Sequence, residues 1–182
     1  MVPVPGGRPR KVPIVLFLGR VTWQKGPDYF IEMAGHVARY VPEAKFIVAG
    51  QGDMLPHLIR RSAELGIADR VHFAGGVQGA DVNRLYRMAD VCVMPSVSEP
   101  FGLVALESLR NGTPCVIPKT AGVAEVVNNA FKVDFWDVHK LVVLNNVNLS
   151  EFFWVDWMGQ RLPVAEAGAG KWEQILTILL RE

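Results

Sequence analysis

Short, wholly apolar runs alternate along this chain with longer stretches whose apolar residues recur at helical spacing. Ile14-Val15-Leu16-Phe17-Leu18 is the first run, and Gly19 ends it. Such runs suit strands buried on both faces, as in parallel sheets. Pro27-Asp28 then opens a stretch with apolar residues at Phe30, Met33, Ala34, Val37, Ala38 and Val41, and Pro42 closes it. That i, i+3, i+4 spacing predicts an amphipathic helix. The alternation continues. Strands are predicted at 45–49, 71–74, 91–94 and 114–117. Leu55, Leu58, Ile59 and Leu65 mark a helix stopped by Gly66, and Val82, Leu85, Tyr86 and Ala89 mark a shorter one. Leu103, Leu106, Glu107 and Leu109 lie on a helix stopped by Asn111-Gly112, and 124–128 is a short helix. Strands and helices joined by short connections predict an α/β fold, a parallel sheet with helices on both faces. Ligands of such sheets bind in the crevice beyond the carboxyl ends of the strands.

The two ends of the chain read differently. Residues 1–12 hold Pro3, Pro5, Gly6, Gly7 and Pro9, which suit a linker, so the domain is expected over 13–182. Residues 132–135 are compatible with a strand, 137–144 with a helix and 172–180 with a terminal helix. Between 145 and 167 the aromatic residues Phe152, Phe153, Trp154 and Trp157 follow no clear period, and the elements of 143–182 stay open.

Composition narrows the class. A chain of 182 residues, 50% hydrophobic and 20% charged, is one domain with a core and not a disordered segment. Lys plus Arg is 19 and Asp plus Glu is 18, a net charge of +1. Nucleic acid is therefore not expected as a partner. Cys92 and Cys115 sit in apolar runs and read as buried thiols in a reducing compartment. No His/Cys cluster or HExxH occurs, so no metal site is expected. No run of about 18 apolar residues suggests a membrane span, and the N-terminus lacks the apolar stretch of a signal peptide. A cytoplasmic setting is expected, with peripheral attachment at the inner membrane left open.

The first strand leads into Gly19-Arg20-Val21-Thr22-Trp23-Gln24-Lys25-Gly26. Gly19 allows close backbone approach to a ligand. Arg20 brings a planar bidentate donor and Lys25 a compact charge, a combination that suits a diphosphate. Taken alone, the two read first as solvated loop charges. The fourth strand leads into a loop and then Ser98-Glu99-Pro100-Phe101-Gly102-Leu103-Val104-Ala105-Leu106-Glu107. A helix opening between Phe101 and Leu103 presents free N–H groups and the positive end of its dipole to an anion. Glu107 lies one turn beyond Leu103 on the same helical face. Its apolar neighbours Leu103, Leu106 and Leu109 predict a half-buried carboxylate within reach of sugar hydroxyls. Glu99 stands in the loop before the helix, where the dipole favours an acid by about 0.3–1 kcal/mol.

These two segments, in this order and separation, resemble the retaining glycosyltransferases of the GT-B fold, and within them group 1 (family four). The resemblance runs over residues 14–137 and implies a Rossmann-like domain, one half of a GT-B fold. It implies a nucleoside-diphosphate sugar as substrate, no cofactor, and transfer of a hexose to an acceptor glycan or lipid. Carried over position by position, it assigns Gly19, Arg20 and Lys25 to the donor diphosphate, with Phe101, Gly102 and Leu103 at the helix start. Glu99 is assigned to the hydroxyls of the transferred sugar and Glu107 to the ribose. Gly76 and Val77 would lie against the base, with Gly50-Gln51-Gly52 lining the same crevice. Arg20, Lys25 and Glu99 form the expected catalytic set. Fixed cations and helix N–H groups aimed at the leaving diphosphate would lower the barrier without a metal, each such donor by about 2.7–4 kcal/mol.

The chain departs from the family in three places. Ala121-Gly122 stands where a Gly-Gly pair is usual, the stretch after about Val142 matches poorly, and these 182 residues are not expected to include the family's acceptor-binding N-terminal domain. That domain is expected as a missing part of the chain or as a partner. His36, His57, His72 and His139 fit exposed or helix-face positions rather than a general base. A non-catalytic sugar-nucleotide-binding or regulatory module and a sugar-nucleotide epimerase-like enzyme remain as alternatives. Gly50-Gln51-Gly52-Asp53-Met54-Leu55 lacks the third glycine of a dinucleotide fingerprint, and no P-loop occurs.

Overall fold

The computed structural model describes residues 12–128 and 130–137, and the backbone of 153–155 and 161–163. Strands β1 (Ile14–Leu18), β2 (Lys45–Ala49), β3 (Val71–Gly75), β4 (Val91–Val93), β5 (Cys115–Pro118) and β6 (Phe131–Val133) form one sheet in the order β3-β2-β1-β4-β5-β6. Every neighbouring pair is parallel. Helices α1 (Pro27–Tyr40), α2 (Leu55–Glu64), α3 (Ala80–Met88), α4 (Leu103–Arg110) and α5 (Val123–Val126) lie in the connections.

The apolar runs are continuous because both faces of the sheet are covered. Val15 and Phe17 of β1, Phe46 and Val48 of β2 and Val93 of β4 pack with Phe30, Met33 and Val37 of α1 and Leu58 of α2. The alternate residues Leu16, Ile47, Cys92 and Ile117 face the other way, onto Tyr86 of α3, Ala105 of α4 and Val123 of α5. Side chains as enclosed as Leu16 and Phe30, both at 0% exposure, each contribute about 1.5–3 kcal/mol. The register between β1 and β4 has a polar lock. Buried Asp90 accepts the Ile14 N–H on Oδ2 at 2.9 Å and donates its own N–H to the Ile14 carbonyl at 2.8 Å.

The sheet order decides where a ligand can sit. The chain builds outward from β1 through β2 to β3, then returns to the other side of β1 with β4. At such a reversal the two loops leaving the strands diverge and open a crevice. Here those loops follow β1 and β4, the two segments the sequence singles out.

Element ends differ from the sequence pattern by a residue or two. The clearest case is β6, which covers Phe131–Val133 rather than 132–135. Asp134 leaves the sheet because its carboxylate pairs with Lys119 at 2.8 Å and its carbonyl accepts the Asp137 N–H at 3.0 Å, making a turn. Phe135 then stacks edge-on against Tyr29 of α1, with ring centroids 5.5 Å apart. In the region without a clear period, β7 (Phe153–Val155) and β8 (Arg161–Pro163) pair antiparallel. Residues 1–11 of the expected linker, the expected helix at 172–180, and all but Asp137 of the expected helix at 137–144 lie outside the described residues.

Candidate functional site

The β1 loop is held in place by its neighbours' backbones. The Gly19 N–H donates to the Ala49 carbonyl and the Val21 N–H to the Gln51 carbonyl, each at 2.9 Å. A Cβ at Gly50 would land on the carbonyl oxygen of Gly19, and one at Gly52 on that of Val21. The Gly50-Gln51-Gly52 turn therefore needs its glycines for packing against the β1 loop. Gly19 is different, because nothing occupies the space where its Cβ would stand.

Past Thr22 the loop makes one 3-10 turn, Trp23–Lys25, and Gly26 follows with φ 62°. A Cβ at Gly26 would land on the carbonyl oxygen of Pro95. The Val97 and Ser98 N–H groups donate to the Gln24 carbonyl at 3.0 and 3.4 Å. The loops after β1 and β4 are thus docked backbone to backbone across the sheet's reversal point. Their side chains meet there as well. Lys25 Nζ lies 2.5 Å from Glu99 Oε2, with the two side chains 22% and 11% exposed, and Ser96 Oγ donates to the same oxygen at 3.5 Å. Arg20 stands apart from this pair, exposed to solvent, with Nη2 donating to Gln24 Oε1 at 3.2 Å.

The segment between Glu99 and α4 is clamped from below. The Gly122 N–H donates to the Glu99 carbonyl at 3.2 Å and the Val123 N–H to the Phe101 carbonyl at 2.6 Å. A Cβ at Gly122 would land on the carbonyl oxygen of Pro100, whereas Ala121 is buried in the core. The departure from Gly-Gly thus falls on the residue that tolerates a side chain. Gly102 precedes α4 with φ 105°, and a Cβ there would stand 2.8 Å from Val123 Cγ1. No side chain caps α4 and no acid stands in its first turn. Its first N–H groups are left for solvent or for an anion. Phe101 and Leu103 are exposed at this helix start, and Trp23 is exposed in the β1 loop.

Glu107 corrects the expectation of a half-buried acid, because it is exposed. The buried stripe of α4 is narrow, formed by Ala105 and Ser108, so Leu103 and Glu107 share the outer face. Its carboxylate is nevertheless held, since Tyr86 Oη donates to Oε2 at 3.0 Å. Tyr86 escapes sequence reasoning, which places it only on an apolar stripe; the signal available was its hydroxyl, which needs a partner when the ring is buried. Burial, and next the nearby Cys92 and Glu107, push the Tyr86 phenol well above its ordinary pKa, so it stays a donor. Gly76 and Val77 leave β3, two strands away from β1. Gly76 is exposed with the side chain of Gln51 beside it, and Val77 is half-buried against the second core.

His57 and His72 are exposed, His36 is half-buried on α1, and His139 lies outside the described residues. Among the described residues no group of three His, Cys, Asp or Glu side chains could hold a metal ion. Cys92 and Cys115 are register neighbours in β4 and β5, both buried and unbonded. The hydrogen bond between the Cys115 thiol and Cys92, then burial, pushes that thiol well above its ordinary pKa and so disfavours the thiolate. No described helix is long and apolar enough to cross a membrane.

The sequence profile described as glycosyl transferases group 1 matches residues 3–143. An uncharacterized glycosyltransferase of Methanocaldococcus jannaschii is 43% identical over 117 residues, which are 64% of this chain and 30% of that protein. A D-inositol 3-phosphate glycosyltransferase of Segniliparus rotundus is 35% identical over 168 residues, 88% of this chain and 37% of that protein. The chain spans about a third of the length of these curated relatives. Among solved structures, Anabaena HepE in complex with UDP-glucose matches with a TM-score of 0.65 and 22% identity, over 91% of this chain and 41% of its own. At that identity the likeness is one of fold, and it agrees with a Rossmann-like half of a GT-B architecture.

Proposed function

This chain belongs to the group 1 glycosyl transferases, and on that premise we propose that it is the donor-binding part of a retaining, metal-independent enzyme. The enzyme moves a hexose from a nucleoside-diphosphate sugar to an acceptor glycan or lipid. The contact that carries this reading is the Lys25–Glu99 pair, set at the reversal point of the sheet beside the uncapped start of α4.

The pair is a resting arrangement for two groups with separate tasks. When donor enters, its diphosphate takes over from Glu99 as the partner of Lys25, and Glu99 is released to accept hydrogen bonds from the sugar hydroxyls. Arg20 closes on the diphosphate from the solvent side, and the N–H groups after Gly102 meet it from the helix end. Negative charge grows on the diphosphate as the glycosidic bond breaks, so these donors bind the transition state better than the ground state. They supply the positive charge that a metal ion would otherwise bring. Glu107 takes the ribose, and Gly76 and Val77 flank the base. HepE is a protein solved with UDP and with UDP-glucose, which makes a uridine nucleotide the first donor to try. A cytoplasmic setting belongs to the same reading and is supported by the two unbonded buried thiols. The acceptor is held by a second domain, in a longer chain or in a partner.

Calorimetry with UDP, GDP and ADP tests the donor site. One of the three binds, and Glu107→Gln weakens it about tenfold or more, the worth of a hydrogen bond to a charged acceptor. Absence of binding by all three overturns the reading. The isolated chain binds donor without turning it over; turnover by this chain alone would contradict its place as one part of a larger enzyme. In the full-length enzyme, the anomeric proton of the product reports retention, and a chelator leaves the rate unchanged.

A further inference from the structure

The ring of Tyr86 is wholly buried, at 0% exposure, while the acid it bonds is exposed. A single hydroxyl hydrogen has two acceptors within reach, Glu107 Oε2 at 3.0 Å and the Val104 carbonyl at 3.4 Å. The shorter and charged contact prevails. Left to itself, an exposed glutamate on a helix surface samples several rotamers. Here the carboxylate is tied to a ring packed wholly within the core.

The α3 backbone that carries Tyr86 is tied to the end of α4 at other points too. Thr113 Oγ1 donates to the Tyr86 carbonyl, and Ser108 Oγ donates to the Thr113 carbonyl at 2.8 Å. Asn111 Nδ2 donates to Asn83 Oδ1 and to the Glu107 carbonyl, each at 2.9 Å. These polar bonds join α3 to the C-terminal end of α4 and the turn that follows it.

We infer that Tyr86 is a positioning residue of the nucleotide site: its buried phenol holds one oxygen of Glu107 and so sets the direction in which the carboxylate meets the ribose diol. Oε1 and the second lone pair of Oε2 remain for the 2′- and 3′-hydroxyls. The inference rests on the reading that Glu107 binds ribose. Removing the hydroxyl leaves the packed ring and both carboxylate oxygens in place, but frees the acid to turn.

The test is the preference of the full-length enzyme for UDP over 2′,3′-dideoxy-UDP, or for the matching guanosine or adenosine pair if that base binds. Tyr86→Phe reduces this preference by about 3–10-fold, while affinity for the dideoxy nucleotide changes by less than about twofold. Glu107→Gln abolishes most of the preference, and adding Tyr86→Phe to it lowers the preference no further. Tyr86→Phe with an unchanged preference overturns the inference if Glu107→Gln still collapses it. A loss that falls equally on both nucleotides overturns it as well, because that is what a merely structural tyrosine produces. If Glu107→Gln itself leaves the preference intact, the ribose reading falls, and the role of Tyr86 falls with it.

Discussion

Replacing Lys25 by alanine lowers kcat of the full-length enzyme by about 10²–10³, the cost of one fixed donor facing charge that develops in the transition state. The effect appears in kcat more than in KM, because the diphosphate gains charge only as the bond breaks. The substitution also strands Glu99, whose side chain is 11% exposed. Breaking one side of an enclosed pair costs about 3–5 kcal/mol when burial is complete, and the partial exposure of this pair reduces that figure. A melting curve and a steady-state assay separate the two consequences. Lys25→Ala/Glu99→Gln recovers part of the lost thermal stability, since no charge is left unpaired, yet recovers no turnover. A loss of tenfold or less in kcat for Lys25→Ala removes the lysine from the phosphate site and makes the ion pair a structural one.

Gly26→Ala is expected to unfold at a distinctly lower temperature than Gly66→Ala. The two glycines have nearly the same backbone, with φ 62° and 70°. An alanine at either position bears the left-handed cost of about 1–2 kcal/mol. At Gly66 nothing lies within 4 Å of the added Cβ, whereas at Gly26 it falls on the Pro95 carbonyl. Overpacking against backbone adds about 1–3 kcal/mol, and for a chain of this size each kcal/mol lowers Tm by about 2–4 °C. Relief of that clash must part the β1 loop from the β4 loop, and with it Lys25 from Glu99. Nucleotide affinity therefore falls with Gly26→Ala and holds with Gly66→Ala. Equal melting temperatures for the two variants would show that the loops are not docked as described.

Much of the fold was legible in the chain. Leu16 and Phe17 are consecutive and both buried, a pattern that arises only when each face of a strand is covered, so the apolar runs announced a parallel sheet. The stripe from Phe30 to Val37 announced α1, and Pro27 and Pro42 marked its ends. Gly19 marked the exit from the first strand, and Gly26, Gly50, Gly52 and Gly102 stood in the loops beyond the strand ends. What they could not convey is the reason for each one. Gly26 is required by a carbonyl from a loop nearly seventy residues on, Gly50 and Gly52 by the backbone of the first loop, and Gly19 by no contact at all. The exposure of Glu107 was misjudged for a related cause. Apolar neighbours in sequence do not say which side of a short helix the sheet takes, and the sheet took Ala105 and Ser108.

By itself, then, the sequence determined the elements and the chemical groups at their ends, because hydrophobic period and turn residues act over a few positions along the chain. The tertiary structure alone decided which of those groups meet. Lys25 and Glu99 are 74 positions apart and touch because β4 lies beside β1, and no local pattern encodes the order of strands in a sheet. Tyr86 reaches Glu107 across 21 positions because α3 and α4 share one face of that sheet. Strand order is set by how both faces become covered at once, a property of the packed whole.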